Sequence, residues 1–217
     1  MFALSYLGIN LIVNYFINIR ILFILPVLFL TGCVKPPPAN VENICHIFKQ
    51  YPNWYREAKD VQRRWRVPIP VQMAIIHQES KFNGKARPER TKLLWIIPWK
   101  RPSSAYGYTQ ALKTTWSDYK KHNGSIWSSR DDFGDAVDFI GWYTNLAYQK
   151  AGIARNDPYA LYLAYHEGIG GFQRKTYLKK QWLIHVAQKV KRRARIYEVQ
   201  LTGCEQSLRR KNWLALW

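Results

Sequence analysis

Acidic residues are scarce in this chain of 217 residues. Asp and Glu total 14 against 33 Lys and Arg, which gives a formal net charge of +19. Cysteine is also rare, and three copies cannot form the dense disulfide scaffold of a small secreted domain. Apolar residues make up 47% of the chain, so it can bury a core and is not mainly disordered. The length fits one domain or a small pair, and cations beside 15% aromatic residues favour a long polymeric ligand, nucleic acid or polysaccharide.

The first 33 residues contain no acidic residue and a single cation, Arg20. The apolar run that follows, residues 21–30, matches a signal-peptide core and is too short for a membrane span of about 20 residues. Residues 30–33, Leu-Thr-Gly-Cys, resemble a bacterial lipobox, in which the cysteine becomes the lipidated first residue after cleavage. We therefore expect a signal peptide over 1–32, a lipid on Cys33 and a Pro-rich spacer up to residue 40. An ordinary signal peptide and an uncleaved anchor are the alternatives.

Export of the domain would limit its possible partners and determine the redox state of its cysteines. An exported domain meets anionic lipid headgroups and cell-wall carboxylates, so we expect no nucleic-acid partner. With Cys33 lipidated, Cys45 and Cys204 remain as an even pair in an oxidising compartment, and we predict a disulfide between them. Two buried thiols are the alternative. By analogy with enterobacterial lipoproteins, Val34 after the cysteine favours the periplasmic side of the outer membrane.

Apolar residues recur at helical spacing from residue 41 onward, most clearly over 54–65 and 183–201, and neither of these two segments alternates as a strand does. Asp157-Pro158 and Gly168 are typical of the two ends of a short helix, and Asp131-Asp132 favour a helix start before Phe133. No repeat or second domain is evident. We predict a mainly α fold, with one helical domain over residues 41–205, little or no sheet, and a C-terminal tail over 206–217.

One carboxylate lies on an apolar stripe. Val71, Ala74, Ile75 and Phe82 fall at helical spacing, and Glu79 lies four residues after Ile75 and three before Phe82. Burial of an unpaired carboxylate raises its pKa, as a general acid that works near neutral pH requires. The alternative is a helix that ends one residue earlier and leaves this carboxylate in solvent.

Three segments within residues 65–175 carry a family resemblance. They read Glu-Ser-Lys-Phe-Asn at 79–83, Ser-Ala-Tyr-Gly-Tyr-Thr-Gln at 104–110, and Leu-Ala-Tyr-His-Glu-Gly-Ile-Gly at 163–170. In this order they resemble the E-S-x-F-[ND], G-L-M-Q and A-Y-N-A-G-x-G motifs of the lytic transglycosylases, the lysozyme-like family that cleaves peptidoglycan. The resemblance implies a lysozyme-like helical domain that acts on glycan strands without a cofactor.

The resemblance implies that Glu79 is the one catalytic carboxylate. It would protonate the oxygen between N-acetylmuramic acid and N-acetylglucosamine, then take the proton of the muramoyl C6 hydroxyl as that oxygen attacks C1, leaving a 1,6-anhydro end. A hydrolase normally uses two carboxyl groups instead. The resemblance places further substrate-binding roles on six positions: Ser80, Gly107, Tyr108, Gln110, Tyr165 and His166.

The family assigns these positions different tasks. Ser80 is expected beside the catalytic carboxylate, bonded to it or to the sugar, and Tyr165 is expected to hold that carboxylate through its hydroxyl. Gly107 and Tyr108 would form a turn that brings backbone groups to the sugar, and Gln110 would orient substrate or support the acid. The chain departs from the family at four positions, where Tyr108 replaces Leu, Thr109 Met, His166 Asn and Glu167 Ala.

Other interpretations stay open from the sequence alone. A true muramidase and a peptidoglycan-binding lipoprotein without activity both fit the composition. A metal site is not expected, since His166-Glu167 lacks the second histidine of H-E-x-x-H. The apolar connection over 91–102 places Trp95 and Trp99 either in a wall of the glycan groove or in the core.

Overall fold

The computed structural model describes residues 35–90 and 101–209 with their side chains, and the backbone of Lys92–Leu93, Ile97–Pro98 and 210–214. The predicted signal peptide, the predicted lipidation site Cys33, and the side chains of Trp95 and Trp99 lie outside the described residues. From Lys35 onward the chain forms one compact unit.

Helices dominate the part of the chain that the structure describes, and the only strands there are a two-residue antiparallel pair, β1 (Lys92–Leu93) with β2 (Ile97–Pro98). The prediction of a mainly α domain is confirmed. The helices are α1 (Ile44–Gln50), α2 (Pro52–Trp65), α3 (Ile69–Ser80), α4 (Lys113–His122), α5 (Phe133–Ala151), α6 (Pro158–Glu167), α7 (Ile169–Gln173), a 3-10 helix (Thr176–Lys179) and α8 (Gln181–Leu214).

Side-chain caps fix the starts of two helices that carry cleft residues. The Asp132 carboxylate accepts the backbone N–H of Asp135 at 3.0 Å and starts α5. The Asp157 carboxylate accepts the N–H groups of Tyr159 and Ala160 and starts α6. Each cap satisfies backbone donors that have no partner inside the helix. Both starts agree with the sequence prediction.

The core is built around α3 and one aromatic cluster. Helix α3 is buried almost all round and packs against α8, while α2 packs against α5. At the centre the ring of Trp54 stacks on Phe133 with centroids 4.0 Å apart and meets the edge of Tyr108 at 5.6 Å. Phe82, just after α3, packs on the same indole at 6.0 Å. These contacts fix the end of α3 relative to the segment that carries Tyr108.

Helix α8 closes the domain. The apolar stripe expected over 183–201 lies against the core, with Leu183, Val190, Ala194, Tyr197 and Leu201 buried and Val186 partly buried. The predicted disulfide joins Cys45 to Cys204, with Cα atoms 6.1 Å apart. The helix differs from expectation at its end, because residues 206–214, predicted to belong to a tail, continue α8 and Leu208 is buried. Within the described segments no helix has the length and apolarity to cross a membrane.

Candidate active site

Glu79 occupies the last turn of α3. The helix ends one residue later, where Lys81 adopts a left-handed conformation (φ 48°) and its N–H closes the final turn on the carbonyl of His77. The alternative in which the helix ends before Glu79 is therefore wrong. The glutamate is only partly exposed, and its side chain faces a cleft.

The cleft has a volume of about 660 Å³, within the range of ligand pockets. It brings together four of the predicted site residues, Glu79, Gln110, Tyr165 and His166, and leaves Ser80, Gly107 and Tyr108 outside its lining. Its walls are otherwise mostly apolar. The lining consists of Glu79, Pro88, Ala105, Gln110, Ala111, Leu112, Thr115, Phe139, Tyr143, Tyr165, His166, Glu167 and Gly168.

Burial sets the protonation of Glu79. It raises the pKa of the carboxyl to about 7, because the charged form loses solvation, and the hydroxyl of Tyr162, hydrogen-bonded to the carboxylate, acts in the opposite direction. At neutral pH the protonated and ionised forms are therefore both present. A carboxyl in this state can give a proton and take one back.

The hydroxyl of Tyr162, and not that of Tyr165, interacts with the Glu79 carboxyl. The Tyr165 hydroxyl donates to the backbone carbonyl of Thr109 at 2.6 Å. This bond joins α6 to the second motif and uses the proton that Tyr165 would otherwise donate to Glu79. Tyr162 lies one turn earlier on the same face of α6 and interacts with Glu79. No motif indicates Tyr162, and its spacing of three residues before Tyr165 is the sequence signal that places it on the same helix face.

The turn of the second motif is held by bonds within the protein. The Ser80 hydroxyl donates to the carbonyl of Tyr108 at 2.7 Å, not to Glu79. The N–H of Gly107 donates to the carbonyl of Ala86 at 3.0 Å, and the N–H of Tyr108 donates to that of Arg130 at 3.1 Å. These donors, predicted to contact the sugar, are already used, and the Tyr108 side chain is buried. The three residues therefore shape the turn.

Gln110, the remaining residue of the second motif with a predicted role, does line the cleft. Its side-chain amide nitrogen donates to the carbonyls of Ala86 and Gly107, both at 2.9 Å, so the side chain is held at the cleft wall. Among the described residues nothing donates to its Oε1. That oxygen is left to accept a hydrogen bond from a ligand.

A second carboxylate, Glu167, also lines the cleft. Its oxygens accept from Lys180 Nζ at 2.7 Å and Thr176 Oγ1 at 2.5 Å, and His166 Nδ1 lies 3.1 Å away. The ammonium group of Lys180, followed by the Thr176 hydroxyl, lowers the pKa of Glu167 to about 2. The cleft thus contains one carboxyl with a pKa near 7 and a second carboxyl that stays ionised at neutral pH.

The geometry agrees with the comparison to known families. The transglycosylase SLT domain family matches residues 21–204. The chain belongs to this family. As an SLT domain it is a lytic transglycosylase of the lysozyme-like superfamily, and its single helical domain has the expected fold. Among curated proteins, none matches the chain.

Within the described part of the SLT domain, no group of three or more His, Cys, Asp or Glu side chains is arranged to hold a metal ion. His77, two residues before the acid, lies 3.2 Å from a carboxylate oxygen of Glu42 and packs against Phe82 and Tyr197. His77 therefore packs within the domain and does not line the cleft.

Proposed function

We propose that the chain cleaves the β-1,4 bond between N-acetylmuramic acid and N-acetylglucosamine in peptidoglycan, with Glu79 as the only catalytic carboxyl. The observation that carries the proposal is the position of Glu79, which lies at the wall of a cleft large enough for sugar rings and has a pKa raised to about 7. Membership of the SLT family supports the choice of polymer.

The reaction needs one proton donor that becomes a proton acceptor. Protonated Glu79 gives its proton to the glycosidic oxygen as the bond from C1 to that oxygen breaks. The carboxylate then removes the proton of the muramoyl C6 hydroxyl while O6 bonds to C1, which closes a 1,6-anhydro ring and regenerates the acid. No water is consumed.

The state of Glu167 supports a mechanism with one carboxyl. A hydrolase would need a second carboxylate that acts as nucleophile or activates water. Glu167 is the other carboxylate of the cleft, but Lys180 and Thr176 already donate to its two oxygens and its basicity is low. Glu167 is therefore poorly suited to be a general base.

Mass spectrometry of products from purified sacculi tests the proposal. Glu79→Gln keeps the shape of the side chain and removes the transferable proton, so release of anhydro muropeptides should fall by at least 1,000-fold, of the order of a lost general acid and base. Glu57→Gln is the matched control: Glu57 is another partly buried carboxyl with a pKa raised to about 7, chiefly by burial, and it lies outside the cleft lining. The control should keep full activity.

Two results would contradict the proposed reaction. Products one water heavier than the anhydro species would identify a muramidase. Binding to sacculi without any cleavage by the wild-type protein would identify a non-catalytic wall-binding protein.

We further propose that a lipid on Cys33 anchors the domain at the periplasmic side of the outer membrane. The disulfide between Cys45 and Cys204 supports an oxidising compartment. Replacement of Cys33 by Ser should remove the protein from the outer-membrane fraction and abolish labelling by radioactive palmitate. Retention of the variant in the outer-membrane fraction without the label would contradict the anchor.

A further inference from the structure

The third motif of this chain carries two substitutions that lie together in the cleft. The positions at which the family pattern has Asn and Ala are occupied by His166 and Glu167, and both side chains line the cleft with Glu79. The two new side chains are in contact, with His166 Nδ1 3.1 Å from Glu167 Oε1. They form a pair that an Asn-Ala sequence could not make.

Glu167 is fixed independently of the histidine. Lys180 Nζ donates to Oε1 at 2.7 Å and Thr176 Oγ1 donates to Oε2 at 2.5 Å. Both partners lie beyond α7, in and just after the 3-10 helix, so the carboxylate is held by a separate part of the fold. Its side chain is only 4% exposed. The ammonium group on Oε1 keeps the carboxyl ionised.

An ionised carboxylate can only accept hydrogen bonds, so the ring nitrogen of His166 that faces it must carry a proton. This requirement fixes the tautomer of the neutral imidazole, with hydrogen on Nδ1 and a lone pair on Nε2. Nε2 has no hydrogen-bond partner among the described residues. The ring also meets the indole of Trp182 edge to face, with centroids 5.0 Å apart, which restricts its rotation.

We propose that Glu167 is a positioning residue that holds the His166 imidazole with Nδ1 protonated, so that Nε2 accepts a hydrogen bond from an N-acetylhexosamine in the cleft. The inference rests on the proposed function for the nature of the ligand. It distinguishes this chain from the family pattern, because an Asn side chain can either donate or accept at this position. Here the position becomes an acceptor alone.

Nitrogen NMR of the imidazole tests the tautomer directly. Long-range proton–nitrogen spectra of the full chain labelled with ¹⁵N-histidine, recorded at pH 8, should assign the Nδ1–H tautomer to His166. In Glu167→Gln the signal should shift towards the Nε2–H tautomer that free imidazoles prefer. An Nε2–H signal in the wild-type protein would overturn the proposal.

Binding of tri-N-acetylchitotriose tests the contact with substrate. The titrations use the Glu79→Gln protein, which cannot turn over its ligand. Addition of His166→Ala should raise Kd about five- to ten-fold, the effect of one lost hydrogen bond, and Glu167→Gln should raise it about three-fold. The conservative His166→Asn should restore part of the affinity, and His46→Ala, an exposed histidine on α1, serves as the control.

The possible failures separate the two proposals. Unchanged affinity in His166→Ala, with chitotriose still bound by the Glu79→Gln protein, would overturn the role of His166 and leave the proposed cleavage standing. Absence of any chitotriose binding by the Glu79→Gln protein would contradict the glycan cleft itself, and with it the role of His166.

Discussion

At the scale of single residues, the chemistry depends on the difference between the pKa values of two carboxyl groups in one cleft. Burial raises the pKa of Glu79 to about 7, and the donors around Glu167, chiefly Lys180, lower its pKa to about 2. Only the first group therefore changes its protonation near neutral pH. Such divergence identifies the proton donor without reference to any motif.

Tyr162 should set the upper limit of the working pH range. Its hydroxyl stabilises the ionised form of Glu79, so Tyr162→Phe raises the pKa of that carboxyl further. The first step needs protonated Glu79, and activity falls as the pH rises through this pKa. We expect the alkaline limb of the pH–rate profile to move upward by about 1 unit, the value of a hydrogen bond to a charged group.

Tyr165→Phe is the matched control for this measurement. It removes the hydroxyl one turn away, which donates to the carbonyl of Thr109, and the limb should stay in place while the melting temperature falls. A shift of the limb in Tyr165→Phe, with none in Tyr162→Phe, would return the role to the residue that the family resemblance indicates.

The sequence located Glu79, Gln110 and His166 at the cleft because position along a motif fixes which segment reaches the site. It could not fix the direction of each side chain. Tyr108 turns into the core since Trp54 and Phe133, distant in sequence, stack there and leave an aromatic-sized space. Tyr162 reaches the acid because α6 packs against α3, and local periodicity does not contain this tertiary contact.

At the scale of elements, the turn of the second motif is a tightly packed segment that lies beside Glu79. Gly107 adopts φ +80°, and a Cβ at this position would lie 2.0 Å from the carbonyl oxygen of Arg130. No other residue type fits that space. The turn therefore holds Gln110 at the cleft only while position 107 remains glycine.

Gly107→Ala should destabilise the domain by about 3 kcal/mol, because the left-handed conformation and the backbone clash both disfavour it. Gly152→Ala is a close control, with φ +67° and nothing within 4 Å of the added carbon, and should cost about 1 kcal/mol. Urea unfolding measures both. Equal losses in the two variants would show that the contact with Arg130 relaxes without cost.

Local signals also account for most of the element boundaries. Asp157 and Gly168 mark the two ends of α6. The Asp157 carboxylate accepts the free backbone N–H groups of the first turn, and Gly168, which has no side chain, can adopt the backbone conformation that ends the helix. The end of α8 was not predictable in the same way. The sequence predicted a tail over 206–217, yet residues 206–214 continue the helix and Leu208 is buried.

At the scale of the whole molecule, one covalent bond joins α1 to α8. Cys45 and Cys204 are 159 residues apart in sequence, so their disulfide closes almost the entire domain into a loop. The cysteine count predicted this pair correctly. Polar bonds accompany it, since Gln200 on α8 accepts the N–H of Ile44 at 3.0 Å and donates to the carbonyl of Glu42.

Replacement of both cysteines by serine should lower the free energy of unfolding by about 5 kcal/mol, the loop-closure term for a ring of this size. Urea unfolding of the double variant and of the wild-type protein with and without reductant measures it. Reductant should reproduce the loss in the wild type and have no effect on the variant. A difference below about 1 kcal/mol would mean that the packing of α8 alone holds the ends together.

The same cross-link determines how the domain bears mechanical load from its N-terminal side. A force applied at the N-terminal end can separate the chain from the domain only as far as Cys45, because the disulfide then transmits the force to α8. Helix α1 and the helices that follow it are shielded from unravelling in that direction. A domain that is pulled at its N-terminal end while bound to a stiff polymer would therefore keep the shape of its cleft.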